Sequence, residues 1–385
     1  MKIVLYYPEN LDKPRGTRNR VINLATVLAD YHDVYVLAYS IYTYKKIPFT
    51  FIKLKRVPLI GNLLKYFNAP LLLNVIHKIR PDIIYSFTEV SLPAMTLPSK
   101  IYKIPHVVEI QSIVVEDICL KHKLYKENGV VYRILDSLVT WMLKKTDLQV
   151  MGCEPLRQYY VGKLHNMILM PPSINTALFN DKVEPDKSLE NLKIKTGKIL
   201  VTYAGNFNYY QGTLFLLDVI SKLRKENVLD FIFVFIGNPS EEFKQKMESL
   251  HLEKDIVLKG SIPNDAVASY LKSSQILIIP RLDTKITRFA FPSKHLEYMA
   301  VGNCIVSTKT WPSEELITHL KNGLLADQTV DDFIHKLLIA RDKRLRERMG
   351  NNAANLIKKK FAVKNDAIRL NVLFKELIKK SKKIT

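Results

Sequence analysis

The chain has 385 residues, 47% of them hydrophobic, and carries 58 Lys and Arg against 37 Asp and Glu, a formal net charge of +21. That length exceeds one ordinary core and predicts two domains, and no apolar run reaches the length of a bilayer span. Cys119, Cys153 and Cys304 are odd in number, widely spaced and without CxxC or Cys/His clustering, which argues for small buried hydrophobes in a reducing compartment and against a zinc site.

The chain opens as MKIVLYYPE, which reads as a strand with no cleavable signal. Further strands are expected from Val34, Phe49, Ile83, Val107 and Leu148, with helices over 17–31, 71–80 and 132–145. Gly16, at the turn into the first helix, permits close approach of backbone to a phosphate or a sugar, and a plain turn fits it as well. Lys53, Lys55, Arg56 and Lys65 flank the apolar segment 57–64, followed by Tyr66 and Phe67. Either this is an apolar face ringed by cations that meets an anionic membrane surface, or it packs on the first sheet. Glu109 and Gln111 end the Val107 strand, where an acceptor would sit. Glu109 is a general base there if geometry allows, and a carboxylate satisfied by the fold fits at least as well.

Residues 181–197 are charged, weakly periodic and punctuated by Pro185 and Gly197, a linker plus a short helix. They separate a domain of residues 1–180 from one of 181–361. The amphipathic stretch 362–385 is expected to pack back on the first domain, the alternative being a frayed basic tail.

The second half restarts with strands from Ile199, Phe231, Ile256, Ile276 and Cys304. After its first strand, Gly205 and Gly212 bracket Asn206 and Gln211 ahead of a helix, either a surface loop or the wall of a nucleotide-sugar site. Arg281 follows the Ile276 strand, with Lys285 and Arg288 behind it. Cations here suit a diphosphate leaving group, although ordinary surface charge fits Lys285 and Arg288 better than Arg281. The most informative stretch is 291–308: a tight loop, a short helix opened by Pro292 and Ser293, a stop at Gly302 and a buried strand. Its helix N-terminus and Lys294 suit a phosphate, and Glu297, one turn deeper, suits ribose hydroxyls. The plainer alternative is a capped helix with a local Lys294–Glu297 pair.

Apolar runs alternating with amphipathic segments indicate an α/β chain with two Rossmann-like, doubly wound parallel-sheet domains facing across a cleft. Ligand sites then lie outside the carboxyl ends of the strands. No catalytic triad, Walker A lysine or GxGxxG fingerprint is present, which leaves acyl transfer, ATP hydrolysis and dinucleotide chemistry unsupported. No nucleic-acid signature appears, and the basic charge is assigned to anionic lipid in preference to nucleic acid.

The order of these features resembles glycosyltransferase family 4, whose fold is GT-B, and the resemblance covers essentially the whole chain. The run Pro292-Ser-Lys-x-x-Glu-Tyr-Met-Ala-x-Gly302 resembles the family's donor-binding helix, with Glu297 as the second glutamate of its E-x7-E motif. Residues 203–212 are similar to its Gly-x…(Lys/Gln)-Gly loop, with Gln211 where lysine is common. Residues 171–179 look like its inter-domain segment, and Gly260-Ser-Ile262 resembles the segment whose backbone meets the nucleobase. The first glutamate would fall at Phe289, and Gln111 stands where a histidine is often found.

The resemblance implies retaining transfer of a sugar from a nucleoside diphosphate sugar to an acceptor hydroxyl. It implies no metal and no other cofactor, a glycan or lipid-linked acceptor, and a cytoplasmic protein peripheral on the inner face of the cell membrane that builds cell-surface polysaccharide or glycolipid. Catalytic roles fall to Lys294, Glu297, Arg281 and Glu109. Donor binding falls to Gly16, Gly205, Asn206, Gln211, Ile262 and Ser293 together with Lys294 and Glu297. The departures at Phe289, Gln211 and Gln111 bear on donor identity. Two alternatives remain: a non-catalytic nucleotide-sugar-binding subunit, and a nucleotide-sugar epimerase on the same fold.

Overall fold

The computed structural model describes residues 1–12, 16–41, 46–55, 69–121, 129–263 and 265–384. Pro14, Arg15 and most of the cation-ringed apolar segment, from Arg56 to Phe67, lie outside the described residues, while Lys53 and Lys55 are exposed. The chain divides into two compact units. One holds Met1–Pro172, Phe289–Phe291 and Val363–Thr385, and the other holds Ser173–Arg288 and Pro292–Ala362.

The first unit contains β1 (Lys2–Tyr6), β2 (Asp33–Ala38), β3 (Thr50–Lys53), β4 (Ile83–Phe87), β5 (His106–Ile110), β6 (Leu148–Met151) and β7 (Met167–Leu169). They form one sheet in the order β3-β2-β1-β4-β5-β6-β7, with every neighbouring pair parallel. β4, β5 and β6 are buried along their whole length, as expected of strands covered on both faces by helices. The helices Gly16–Ala29 and Val363–Ile384 pack together on this sheet. Leu24, Leu370 and Phe374 lie in its core, and the Phe374 ring meets Tyr85 of β4 edge-on at 5.9 Å.

The second unit contains β8 (Ile199–Ala204), β9 (Phe231–Ile236), β10 (Ile256–Gly260), β11 (Ile276–Ile279), β12 (Cys304–Thr308) and β13 (Leu324–Ala326). Its order is β10-β9-β8-β11-β12-β13, again all parallel. Both sheets are therefore doubly wound. Each reverses direction beside its first strand, between β1 and β4 and between β8 and β11, and the carboxyl ends there form the natural ligand crevice. In the second unit, Phe207 packs edge-on against Phe243 at 4.9 Å, which pins the loop after β8 to the core.

The passage between units differs in detail from the sequence reading. The first unit ends at Pro172 and not at 180, because Ile174 donates its N–H to the Phe361 carbonyl at 2.8 Å and so joins the second unit. The short helix of the linker is Lys187–Thr196. Asp186 caps it by accepting from the Ser188 and Leu189 N–H groups, and Gly197 closes it in the left-handed region. β7 and β13, three residues each, are additional to the expected strands.

Candidate functional site

Three segments of the second unit converge at the carboxyl ends of β8 and β11. The chain leaves β8 at Gly205, with φ at +152°, where a Cβ would lie 2.7 Å from Lys294 Nζ. Glycine here makes room for the lysine. The loop closes at Gly212, with φ at +72°, where a Cβ would lie 1.8 Å from the Pro280 carbonyl oxygen. Only glycine lets this loop and the chain leaving β11 touch backbone to backbone, and the helix Thr213–Lys225 starts from that point.

The third segment is the helix Ser293–Ala300, entered through Pro292. In its first turn the His295 N–H reaches the Pro292 carbonyl at 3.3 Å, while the Ser293 and Lys294 N–H groups precede any intrahelical acceptor, and among the described residues no side chain caps them. Tyr298 anchors this helix to β8, its hydroxyl accepting from the Ala204 N–H at 2.6 Å and lying 3.2 Å from the Ala204 carbonyl. His295 points into the core, where it meets the Ser313 hydroxyl at 2.8 Å.

Lys294 and Glu297 project from the first two turns. Lys294 Nζ donates to Gln211 Oε1 at 2.9 Å and to the Tyr203 hydroxyl at 3.2 Å, and lies 4.4 Å from the Tyr203 ring centroid. Arg281 is buried after β11, its guanidinium 6.0 Å from the Tyr210 ring centroid. Burial lowers Arg281 to about 10, with Tyr210 and Tyr203 opposing. Burial of the ammonium, reinforced by Arg281, lowers Lys294 to about 7, with Glu297 opposing. Burial likewise raises Glu297 to about 7, with Lys294 opposing. Both residues are half-buried by accessible surface, and burial is the leading cause of both shifts.

Among the described residues the Glu297 carboxylate accepts no hydrogen bond and forms no ion pair within 4 Å. The local Lys294–Glu297 pair of the plainer reading is therefore not formed. A desolvated carboxylate with open lone pairs, one turn from a lysine and beside uncapped helix N–H groups, is arranged to receive a ligand that bears both hydroxyls and negative charge.

Other candidates divide. Asn206 is exposed on the loop, and its carbonyl accepts from the Tyr203 hydroxyl. Ser293 opens the helix Ser293–Ala300 and is partly exposed. Ile262 packs against the layer of Leu200 and Val234 behind the strands. Arg288 is exposed and engaged with Asp283 at 2.7 Å, the surface arrangement expected for it. Gly16 is exposed at the start of the first unit's helix Gly16–Ala29. Tyr203 and Tyr298, which floor the site and fix its helix, were missed as site residues. Their signal was polar aromatics interrupting apolar runs.

Glu109 requires a correction. It is 1% exposed in the first unit and its oxygens are saturated. Arg20 approaches them at 3.1 Å through Nε and 3.2 Å through a terminal nitrogen, Gln111 donates at 2.7 Å, and Tyr85 donates through its hydroxyl. Arg20 also pairs with Asp366 of the C-terminal helix. Burial alone would lower Arg20, but Glu109 and Asp366 outweigh it and hold the guanidinium above its ordinary value. No lone pair of Glu109 is left for an acceptor hydroxyl, so it is a structural ion and not a general base. Gln111 bridges this network to Thr17, whose hydroxyl donates to it at 2.9 Å. Nearby, Thr88 at the end of β4 holds φ 64° and ψ 153°, a conformation that costs a side-chain-bearing residue about 1–3 kcal/mol.

Residues 185–356 match the family model of glycosyl transferases group 1, so the second unit carries that pattern. An 82-residue stretch is 34% identical to the capsular polysaccharide biosynthesis glycosyltransferase CapH of Staphylococcus aureus, and covers 20% of this chain and 22% of that protein. The match thus spans about a fifth of that curated relative. Among solved structures, the sucrose-phosphate synthase of Thermosynechococcus elongatus superposes with a TM-score of 0.77 at 15% identity, over 98% of each chain. HepE of Anabaena, in complex with UDP and glucose, superposes with a TM-score of 0.76 at 15% identity, over 98% of this chain and 100% of that one. At such identities the likeness is one of fold, and the fold is that of GT-B glycosyltransferases.

Proposed function

We propose that this chain is a retaining glycosyltransferase that moves a sugar from a nucleoside diphosphate sugar to an acceptor hydroxyl. The observation that carries the proposal is the unpartnered Glu297 carboxylate beside Lys294 at an uncapped helix start. In this reading the ribose hydroxyls donate to Glu297, while the diphosphate meets Lys294, Arg281 and the Ser293 and Lys294 N–H groups. As the bond from anomeric carbon to phosphate oxygen breaks, charge gathers on the diphosphate, and these fixed donors offset it without reorganisation. With Glu109 committed to the fold, the departing phosphate oxygen is the base assigned to the acceptor proton. Delivery from that same face gives retention.

The cations already at the site fill the role a divalent ion would take, so transfer is proposed to need no metal. The UDP and glucose bound by HepE make UDP-sugars the first donors to try, and the capsular polysaccharide in the relative's name supports a glycan acceptor; that the acceptor is lipid-linked and met at the cytoplasmic face of a membrane is part of the same proposal. The test is a panel of nucleotide sugars read by thermal shift and then by nucleotide release with candidate acceptors, with and without EDTA. One donor should stabilise the protein, transfer should survive chelation, and the product should keep the donor's anomeric configuration by NMR. Failure of every nucleotide sugar to bind would overturn the reading, and loss of turnover in EDTA restored by manganese or magnesium would overturn its metal independence.

A further inference from the structure

Two helices of the first unit, Leu92–Tyr102 and Val130–Leu143, turn apolar side chains to solvent. On the second, Val130, Ile134, Leu138 and Trp141 recur at helical spacing as one stripe, 73, 62, 49 and 57% exposed. On its neighbour, Leu97 and Ile101 are 49 and 53% exposed. Single exposed apolar residues are ordinary, but six on two adjoining helices form a patch.

Both helices lead into strands of a parallel sheet, so they run against the strands and end at the sheet's amino edge, away from Glu109 and Gln111. A cavity of about 670 Å³ opens at that edge, with Lys100, Lys103, Lys144, Lys145 and Lys380 on its walls and Leu373 and Leu377 among its apolar lining. Ser381 donates to the Lys103 carbonyl at 3.2 Å, which brings the lysine-rich end of the C-terminal helix to the same place. Two carboxylates line the cavity, Asp147 and Glu376, and Asp147 already accepts the His106 N–H at 2.8 Å. Lys145 Nζ stands 5.4 Å from the Trp141 ring centroid, so cation and aromatic adjoin at the end of the stripe.

We propose that this face docks the first unit on a bilayer of anionic phospholipid. The Val130–Trp141 stripe with Leu97 and Ile101 enters the acyl boundary, and the five lysines meet lipid phosphates. Charge complementarity selects the occupant: a second copy would bring the same lysines against one another, whereas an anionic headgroup layer opposes them over an apolar interior. A tryptophan beside lysines at the patch edge suits the headgroup level. The proposal gives a surface to the membrane placement proposed above, yet stands on residues outside the donor site, so either can fail alone.

The test uses the full chain with Trp311→Phe, which leaves Trp141 as the one remaining tryptophan of the two. With vesicles containing phosphatidylglycerol at low salt, Trp141 emission should shift to the blue and be quenched by brominated lipid. Binding by co-sedimentation should weaken more than about tenfold when Lys100, Lys103, Lys144 and Lys145 are changed to Ala. It should weaken similarly in roughly 0.5 M salt, where screening is short-ranged. Ile134→Ser with Leu138→Ser should reduce binding while melting and turnover of soluble donor stay unchanged. An unshifted Trp141, or equal partition into phosphatidylcholine vesicles, overturns the proposal. So does burial of Trp141 by concentration-dependent dimerisation without lipid, or a cavity that takes inorganic phosphate while vesicles leave Trp141 untouched.

Discussion

Glu109 and Glu297 are both desolvated carboxylates on Rossmann-like units, and their surroundings separate them. Glu109 has three contacts from Arg20, one from Gln111 and one from Tyr85, and through Arg20 it ties the C-terminal helix to the first sheet. Among the described residues Glu297 has none, and burial holds it near 7 beside a lysine held near 7. A buried ion whose partners are complete belongs to the architecture. A desolvated carboxylate with no protein partner, beside a lysine whose ammonium burial disfavours, is disposed to bind a ligand.

The sharpest way to break this comparison is to remove Arg20. Arg20→Met strands Glu109 and Asp366, and truncating one partner of a buried ion network costs about 3–5 kcal/mol. Urea unfolding should show the first unit destabilised by that amount, with the C-terminal helix released from the sheet. An unaltered unfolding curve would mean that the Glu109 network is not structural and would reopen its candidacy as a base. In the second unit the balance should invert. Lys294→Ala and Glu297→Ala should each slow transfer by about a hundredfold, on the order of 3 kcal/mol, without lowering the melting temperature. An unfolded Glu297→Ala, or one with unchanged donor affinity and rate, would place Glu297 with Glu109.

Much of this was legible in the sequence, for a physical reason. Apolar runs such as 231–236 and 276–279 are written locally, because a strand buried on both faces must be apolar throughout. The Pro-Ser-Lys-x-x-Glu run likewise writes a helix start, a cation and a carboxylate within six residues of one another. What stayed hidden was non-local. Glu109 and Arg20 are 89 residues apart, and Arg20 and Asp366 are 346 apart, so no window of sequence shows that the first carboxylate is saturated. The three-residue edge strands β7 and β13 are too short to carry a periodic signal. The exposed stripe of the helix Val130–Leu143 read as an ordinary amphipathic face, because periodicity marks an apolar face without saying whether anything covers it.

A pH titration sharpens the comparison further. With Lys294 near 7 in the empty site, donor binding above neutrality must take up a proton, because a diphosphate favours the ammonium. Donor affinity should fall about tenfold per pH unit above 7, which is about 1.4 kcal/mol per unit. Below 7, protonation of Glu297 removes an acceptor for ribose, so affinity should peak near neutrality. Calorimetry in buffers of different ionisation enthalpy measures the proton uptake directly. Lys294→Arg should abolish the alkaline limb, and a limb that survives it would belong to another group.

The smallest effect concerns stability, and its sign is the informative part. Lys294 titrates near 7 when folded and near 10.5 when unfolded. Between those values the unfolded chain binds the extra proton, so stability attributable to this residue rises with pH across that window and is lowest below 7. Glu297 runs the other way: folded near 7 and unfolded near 4.5, its contribution falls as pH rises through that range and stays low above it. Near neutrality the empty site therefore destabilises the second unit through both residues. Lys294→Met keeps the aliphatic stem and removes the desolvated amine, so it should stabilise the protein by about 1 kcal/mol, or roughly 2–4 °C in melting temperature. The gain should be largest at pH 7 or below, shrink toward pH 10, and vanish when wild-type protein is measured with saturating donor. A Lys294→Met protein that melts lower than wild type at pH 7 would show that the lysine is held by its contacts to Gln211 and Tyr203 as architecture, as Arg20 is held by Glu109.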